Sequence, residues 1–163
     1  MREANRIPTA RDLMNASPLT FRPHQTILEA MESLLKHGAS GAPVVDDEGV
    51  LLGMISELDC LRMLASDEFF FEDLEDGTRV ADCMNRDCRS IPSDLGIYAI
   101  THYFLTGPIR RLPVVDQGRL IGQVSRRDVL RWMEGMHRRR VGGNRYPDYL
   151  RPAESSGARR ARL

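Results

Sequence analysis

The chain has 163 residues, 42% hydrophobic, 28% charged and 6% aromatic, enough for one compact domain or two small ones around a mostly aliphatic core. No run approaches the roughly 18 apolar residues of a membrane helix, and the stretch MREANRIPTARD has no apolar core of the kind a secretory signal needs. The net charge of zero hides a split of −9 over residues 1–76, +3 over 77–136 and +6 over 137–163; charge as a whole predicts no membrane and no nucleic-acid partner, with the basic tail as the one segment suited to nucleic acid or an acidic protein.

In chain order the elements come twice. Asp12-Leu13-Met14-Asn15 opens the first set and recurs as Asp82-Cys83-Met84-Asn85. A short extended piece follows, Leu19-Thr20-Phe21 or Arg89-Ser90-Ile91. Next comes a predicted helix, with Ile27, Ala30, Met31, Leu34 and Leu35 on one face, matched by Ile97, Ile100, Phe104 and Leu105; this is the i, i+3, i+4, i+7 spacing. Gly38 and Pro108 are the expected stops. Pro43-Val44-Val45-Asp46 and Pro113-Val114-Val115-Asp116 then read as strands, each followed by a turn and a second apolar run, Val50 to Ile55 or Leu120 to Val124, hence a β-hairpin. A last helix is predicted from Ser56 and from Ser125. The copies are offset by 70 residues up to the hairpin turn and by 69 after it, a one-residue difference that a turn tolerates.

The fold class is therefore α+β, two tandem βαββα repeats. A lobe of this size has a marginal core alone, so each is expected to bury apolar surface on the other. The expected division is 1–68 for the first repeat, 69–78 for a linker, 79–140 for the second repeat and 141–163 for a disordered basic tail. Phe69, Phe70 and Phe71 suit a linker helix packed on a lobe or a partner-binding patch.

Little points to catalysis. His24, His37, His102 and His137 fall in no metal-binding spacing, and no nucleophile elbow, Walker loop or dinucleotide fingerprint occurs. Cys60, Cys83 and Cys88 are odd in number and lack a C-x-x-C pair, which argues against a disulfide framework or a zinc site and for a reducing, cytoplasmic setting. The informative segments are Gly53-Met54-Ile55-Ser56-Glu57-Leu58-Asp59 and Gly122-Gln123-Val124-Ser125-Arg126-Arg127-Asp128. Ser followed three residues later by an acid is a capping box, which starts a helix and needs no ligand. The same geometry offers free N–H groups, a hydroxyl and a carboxylate to a phosphate or sugar. The two readings are compatible.

The order D-x-M, P-V-V-D, G-x-h-S-x-x-D, where h is apolar, present twice over residues 8–137, resembles a tandem pair of cystathionine β-synthase-type (CBS) domains, a Bateman module. The resemblance implies two lobes about a pseudo-twofold axis, two clefts that take adenosine-containing ligands such as AMP, ADP, ATP or S-adenosylmethionine, and a homodimer of modules. By position, Asp59 and Asp128 resemble the ribose-binding aspartates, and Ser56 and Ser125 their hydroxyl partners. The Asp59 cleft is then expected to include Arg89, Ser90, Ile109, Arg110 and Arg111. The Asp128 cleft is expected to include Thr20, Phe21 and the stretch Ala39, Ser40, Gly41, Ala42. Arg110 and Arg111 favour a phosphorylated ligand. The implied function is a regulatory, non-enzymatic sensor of adenine nucleotides acting through an effector protein, with no cofactor required. A ligand-free dimerisation scaffold and an S-adenosylmethionine binder are the alternatives.

Overall fold

A computed structural model describes residues 6–65 and 77–142. The chain divides into two compact units, Met1–Val129 and Leu130–Leu163. Of the described residues, 6–65 and 77–129 lie in the first; those of the second, residues 130–142, are helical. Phe69, Phe70, Phe71 and the tail beyond Gly142 fall outside the described residues.

The first repeat contains α1 (Ala10–Leu13), α2 (Ile27–His37), β1 (Gly41–Val45), β2 (Leu51–Ser56) and α3 (Glu57–Leu64). The second contains α4 (Val80–Cys83), β3 (Ile91–Pro92), α5 (Ile97–Thr106), β4 (Arg111–Asp116), β5 (Arg119–Ser125) and α6 (Arg126–Gly142). Local chemistry sets these limits. Thr26 and Glu29 form a capping box at the start of α2, and Gly38, in the left-handed region at φ 56°, closes it. Helix α5 stops at Thr106, one residue before Gly107 and two before Pro108.

In each repeat the two long strands form an antiparallel hairpin, and the short extended piece adds beside the first of them in parallel: Phe21 next to Val44, and Ile91 next to Val114. Gln117 and Gly118, at φ 49° and 80°, make the tight turn of the second hairpin. The hairpins meet at their turns. Leu51 N–H donates to Gly118 O (3.1 Å), and Leu120 N–H donates to Gly49 O (2.9 Å).

The repeats exchange their opening helices. Ala10 and Arg11 of α1 donate backbone hydrogen bonds to Leu95 and Ser93 of the second repeat. Val80 and Ala81 of α4 donate to Gln25 and Pro23 of the first. Asn85 then pairs with Met54 on β2, as Asn15 pairs with Gln123 on β5. Val80 and Met84 consequently sit in the core of the first repeat with Phe21, Ile27, Leu34, Val44 and Ile55. This exchange gives each small lobe the extra apolar surface it lacks alone.

One expectation needs correction: the predicted face of α2 is not buried as a unit, because Leu34 is 3% exposed and core, whereas Leu35 is 79% exposed. Leu105, its counterpart in the second repeat, is also 79% exposed. No described helix is long and apolar enough to cross a membrane.

Candidate functional site

Strand β2 ends at Ser56, which N-caps α3. Asp59 Oδ2 accepts from Ser56 N–H at 2.9 Å and from Ser56 Oγ at 2.5 Å, and the Ser56 hydroxyl accepts from Asp59 N–H at 3.3 Å. The second copy repeats this with Asp128 and Ser125 at 2.7, 2.5 and 3.3 Å. Both motifs are thus complete capping boxes. The other oxygen of Asp59, Oδ1, accepts from Arg62 Nη1 at 3.1 Å, and that arginine's side chain is 68% exposed.

Ser56 forms part of the wall of a cleft of about 920 Å³. Arg89, Ile109, Arg110 and Arg111 line it from the second repeat. Ser90 is exposed and is not in the wall, and Asp59 lies one hydrogen bond behind it, joined through the Ser56 hydroxyl. Arg111 is half-buried and donates from Nη2 to Ser40 Oγ at 2.9 Å. Burial pushes its pKa down; Asp128 and Glu57 act against that, and Arg127 adds to it. Among the described residues, Arg89, Arg110 and Arg111 have no carboxylate at ion-pair distance.

The residues assigned to the Asp128 cleft are placed differently. Ser40 and Gly41 line the Ser56 cleft, because Gly41 is the direct partner of Ser56 across the hairpin. A Cβ on Gly41 would stand 2.9 Å from Ile55 O and 3.2 Å from Ser56 Cβ, so the close pairing of the strands requires glycine here. Phe21 and Ala42 are 2% and 1% exposed and belong to the core, not to a cleft wall. Thr20 and Ala39 are half-buried beside them. Ser125 pairs with Arg111 across β4 and β5, so Arg111 is bound by strand register to one S-x-x-D motif and by its side chain to the wall of the other.

The wall also contains residues that the motifs did not flag. Met54, Glu57, Leu58 and Leu61 come from β2 and α3, Asn85 from the exchanged segment, and Tyr103 from α5. Asn85 carried a signal, since it repeats as Asn15. Tyr103 carried none: Ser33 stands at the matching place in the first repeat.

The thiols are poorly suited to nucleophilic work. Cys60 is 8% exposed, and its pKa is pushed up to about 11, chiefly by burial and then by neighbouring Cys83. Burial also raises Cys83 and Cys88. The described residues include no group of three or more His, Cys, Asp or Glu able to hold a metal ion.

Comparison with known proteins places this geometry. The protein YhcV of Bacillus subtilis, a CBS domain-containing protein, is 32% identical over 123 residues, covering 74% of this chain and 82% of its own. CBSX2, in a crystal structure in complex with AMP, is 27% identical with a TM-score of 0.70, over 80% of this chain and 98% of that one. The CBS domain pair of protein MJ0100, in complex with 5′-methylthioadenosine and S-adenosyl-L-methionine, is 26% identical with a TM-score of 0.67, over 80% and 99%. Other relatives are much longer: the chain spans 41% of one from Methanocaldococcus jannaschii and 14% of the A-adding tRNA nucleotidyltransferase of Aquifex aeolicus. The CBS domain profile matches residues 10–66 and 80–135, the two halves that exchange α1 and α4, and the chain therefore belongs to the CBS domain family as a tandem pair.

Proposed function

We propose that the chain is a regulatory module that binds a phosphorylated adenosine (AMP, ADP or ATP) in the Ser56 cleft and signals to an effector protein. The observation that carries this reading is the set of three arginines, Arg89, Arg110 and Arg111, lining one cleft with no carboxylate at ion-pair distance among the described residues. Guanidinium forks favour an anion with paired oxygens, and Arg111 is in addition half-buried. Ser56 and the first turn of α3 add a hydroxyl and the positive end of a helix. The ribose falls to Asp59. Among the described residues its Oδ1 is held by the exposed Arg62, and such an ion pair contributes about 0–1 kcal/mol, so a ribose hydroxyl can displace it. The AMP complex of CBSX2 supports the ligand class.

The module works as a homodimer. Leu35, Leu105 and Tyr98 are 79%, 79% and 76% exposed, and Leu58 and Leu61 are 57% and 59% exposed. The faces carrying Leu35 and Leu105 repeat about the internal pseudo-twofold, which suits self-association.

A second reading has its own support. Asp59 and Asp128 are both engaged in capping boxes, which is all that a ligand-free scaffold requires. Thermal unfolding with adenosine, AMP, ADP, ATP and S-adenosylmethionine separates the readings. A ligand at 100 times its Kd adds about 2.7 kcal/mol, a rise of roughly 5–10 °C for a chain of this size. A rise with nucleotides supports the sensor. A rise with S-adenosylmethionine alone favours the methyl-donor reading, and no rise with any compound favours the scaffold.

A further inference from the structure

The guanidinium carbon of Arg89 lies 4.8 Å from the centroid of the Tyr103 ring, within cation–π range. Both residues line the Ser56 cleft. Arg89 is exposed and precedes β3, whereas Arg111 is half-buried and tied to Ser40. The cleft therefore presents cations from two segments and at two depths, one at the wall beside Ser56 and one at the rim.

One arginine fork engages two oxygens of a phosphate group, so a second phosphate offers a second arginine paired oxygens of its own. A guanidinium held over a ring through its charge keeps its N–H donors for an anion. The volume of about 920 Å³ lies toward the upper end of the 300–1,000 Å³ typical of small-molecule sites, so there is room beyond a monophosphate. The feature is confined to one half of the pseudo-twofold. Leu19 and Ser33 stand where the first repeat would need the arginine and the ring.

We propose that Arg89, positioned by the Tyr103 ring, forms a second phosphate subsite that makes this cleft prefer nucleoside di- and triphosphates to monophosphates. The proposal rests on the nucleotide reading above. Arg89 is the specificity-determining contact, and Tyr103 is a positioning residue that acts through it.

Calorimetric titration of adenosine, AMP, ADP and ATP in magnesium-free buffer tests this. The wild type is expected to bind ADP about 10-fold tighter than AMP, the effect of one added charge-assisted contact. Arg89→Gln abolishes the preference, weakening ADP by about 10-fold more than AMP. Tyr103→Leu lowers the ADP-to-AMP ratio by about 2- to 5-fold, and Tyr103→Phe, which keeps the ring, restores it. Equal affinity for AMP and ADP in the wild type overturns the subsite while leaving the nucleotide reading intact. Equal losses for AMP and ADP in Tyr103→Leu assign the ring to the base and overturn the positioning role, as does failure of Tyr103→Phe to restore the preference. No binding of any of the four compounds overturns both the subsite and the nucleotide reading.

Discussion

The carbonyl oxygen of Asn85 lies 2.6 Å from the place a Cβ on Gly53 would occupy. The same constraint recurs across the pseudo-twofold, where Asn15 O stands 2.9 Å and Met14 Sδ 2.5 Å from a Cβ on Gly122. Each glycine marks the point where one repeat receives the opening segment of the other, and Asn85 and Met54 close that contact with backbone bonds of 2.8 and 2.9 Å. The glycine of the G-x-h-S-x-x-D motif thus serves the exchange of α1 and α4, one link upstream of the cleft. Gly53→Ala and Gly122→Ala are expected to destabilise by about 1–3 kcal/mol each, the usual effect of overpacking. Gly107→Ala is the control, because its Cβ would meet the Ile109 side chain at 3.7 Å and Tyr103 O at 3.9 Å, both ordinary van der Waals contacts. Thermal unfolding of the three variants checks the order; a Gly53→Ala protein as stable as Gly107→Ala would mean that the exchanged segment yields freely.

Much of this was legible in the sequence, and the remainder failed for identifiable reasons. The repeat, the hairpins and the two capping boxes follow from local patterns: S-x-x-D specifies its own hydrogen bonds, and an aliphatic periodicity specifies a helix face. The exchange of α1 and α4 was not legible, because four-residue helices leave no periodic signal and their partners lie far along the chain, at Leu95 and Ser93 for α1 and at Gln25 and Pro23 for α4. The place of Ser40 and Gly41 in the Ser56 cleft was not legible, because strand register across a hairpin decides which motif they face. Tyr103 was invisible because its role depends on Arg89, on a different element.

Asp59 holds both a capping role and the proposed ribose contact, and two substitutions separate them. Asp59→Ala removes the cap and is expected to reduce stability by about 0.5–2 kcal/mol as well as to abolish adenosine binding in this cleft. Asp128→Ala should show the same stability loss with adenosine affinity at the Ser56 cleft nearly unchanged. Calorimetry combined with denaturant unfolding measures both quantities on the same samples. Adenosine affinity unaltered in Asp59→Ala would leave the residue a cap only.

The buried thiol makes a separate prediction in the alkaline range. Cys60 has an ordinary thiol pKa near 9.0 and a folded value of about 11. Between these values the folded chain retains a proton that the unfolded chain releases, so stability falls as pH rises. The contribution is fully present below about pH 9 and is lost as the pH climbs toward 11. Cys60→Ala or Cys60→Val should flatten that part of the stability profile. In the folded protein near pH 7, reaction with a thiol reagent should be slow at Cys60 and rapid once denaturant is added.

Self-association is tested at Leu35 and Leu105, which occupy equivalent positions and are equally exposed. Leu35→Glu and Leu105→Glu together are expected to shift a dimer toward monomer without loss of folded stability, since neither side chain contributes to the core. Sedimentation velocity at tens of micromolar protein and circular dichroism report the two properties. A wild type already monomeric under these conditions, with and without ADP, would remove the dimer from the proposed function.

Under the proposed function, Arg111 is the arginine expected to decide binding of the first phosphate. It starts β4 opposite Ser125, its side chain reaches Ser40 at 2.9 Å, and it lines the cleft wall that contains Ser56. A ribose held at Asp59 directs the 5′ end of the nucleotide toward the start of β4, where Arg110 and Arg111 enter. Arg111 is the better placed of the two, because it is half-buried while Arg110 is exposed, and a charged contact gains strength as water is excluded. One charge-assisted hydrogen bond contributes about 1.5–3 kcal/mol, so Arg111→Ala should weaken AMP by roughly 10- to 100-fold. Arg110→Ala should weaken it less. Adenosine, which lacks the phosphate, should bind all three proteins alike. Equal losses for AMP and adenosine in Arg111→Ala would assign the residue to the packing of β4 against Ser40, and the phosphate would then have to be read by Arg89 and Arg110 alone.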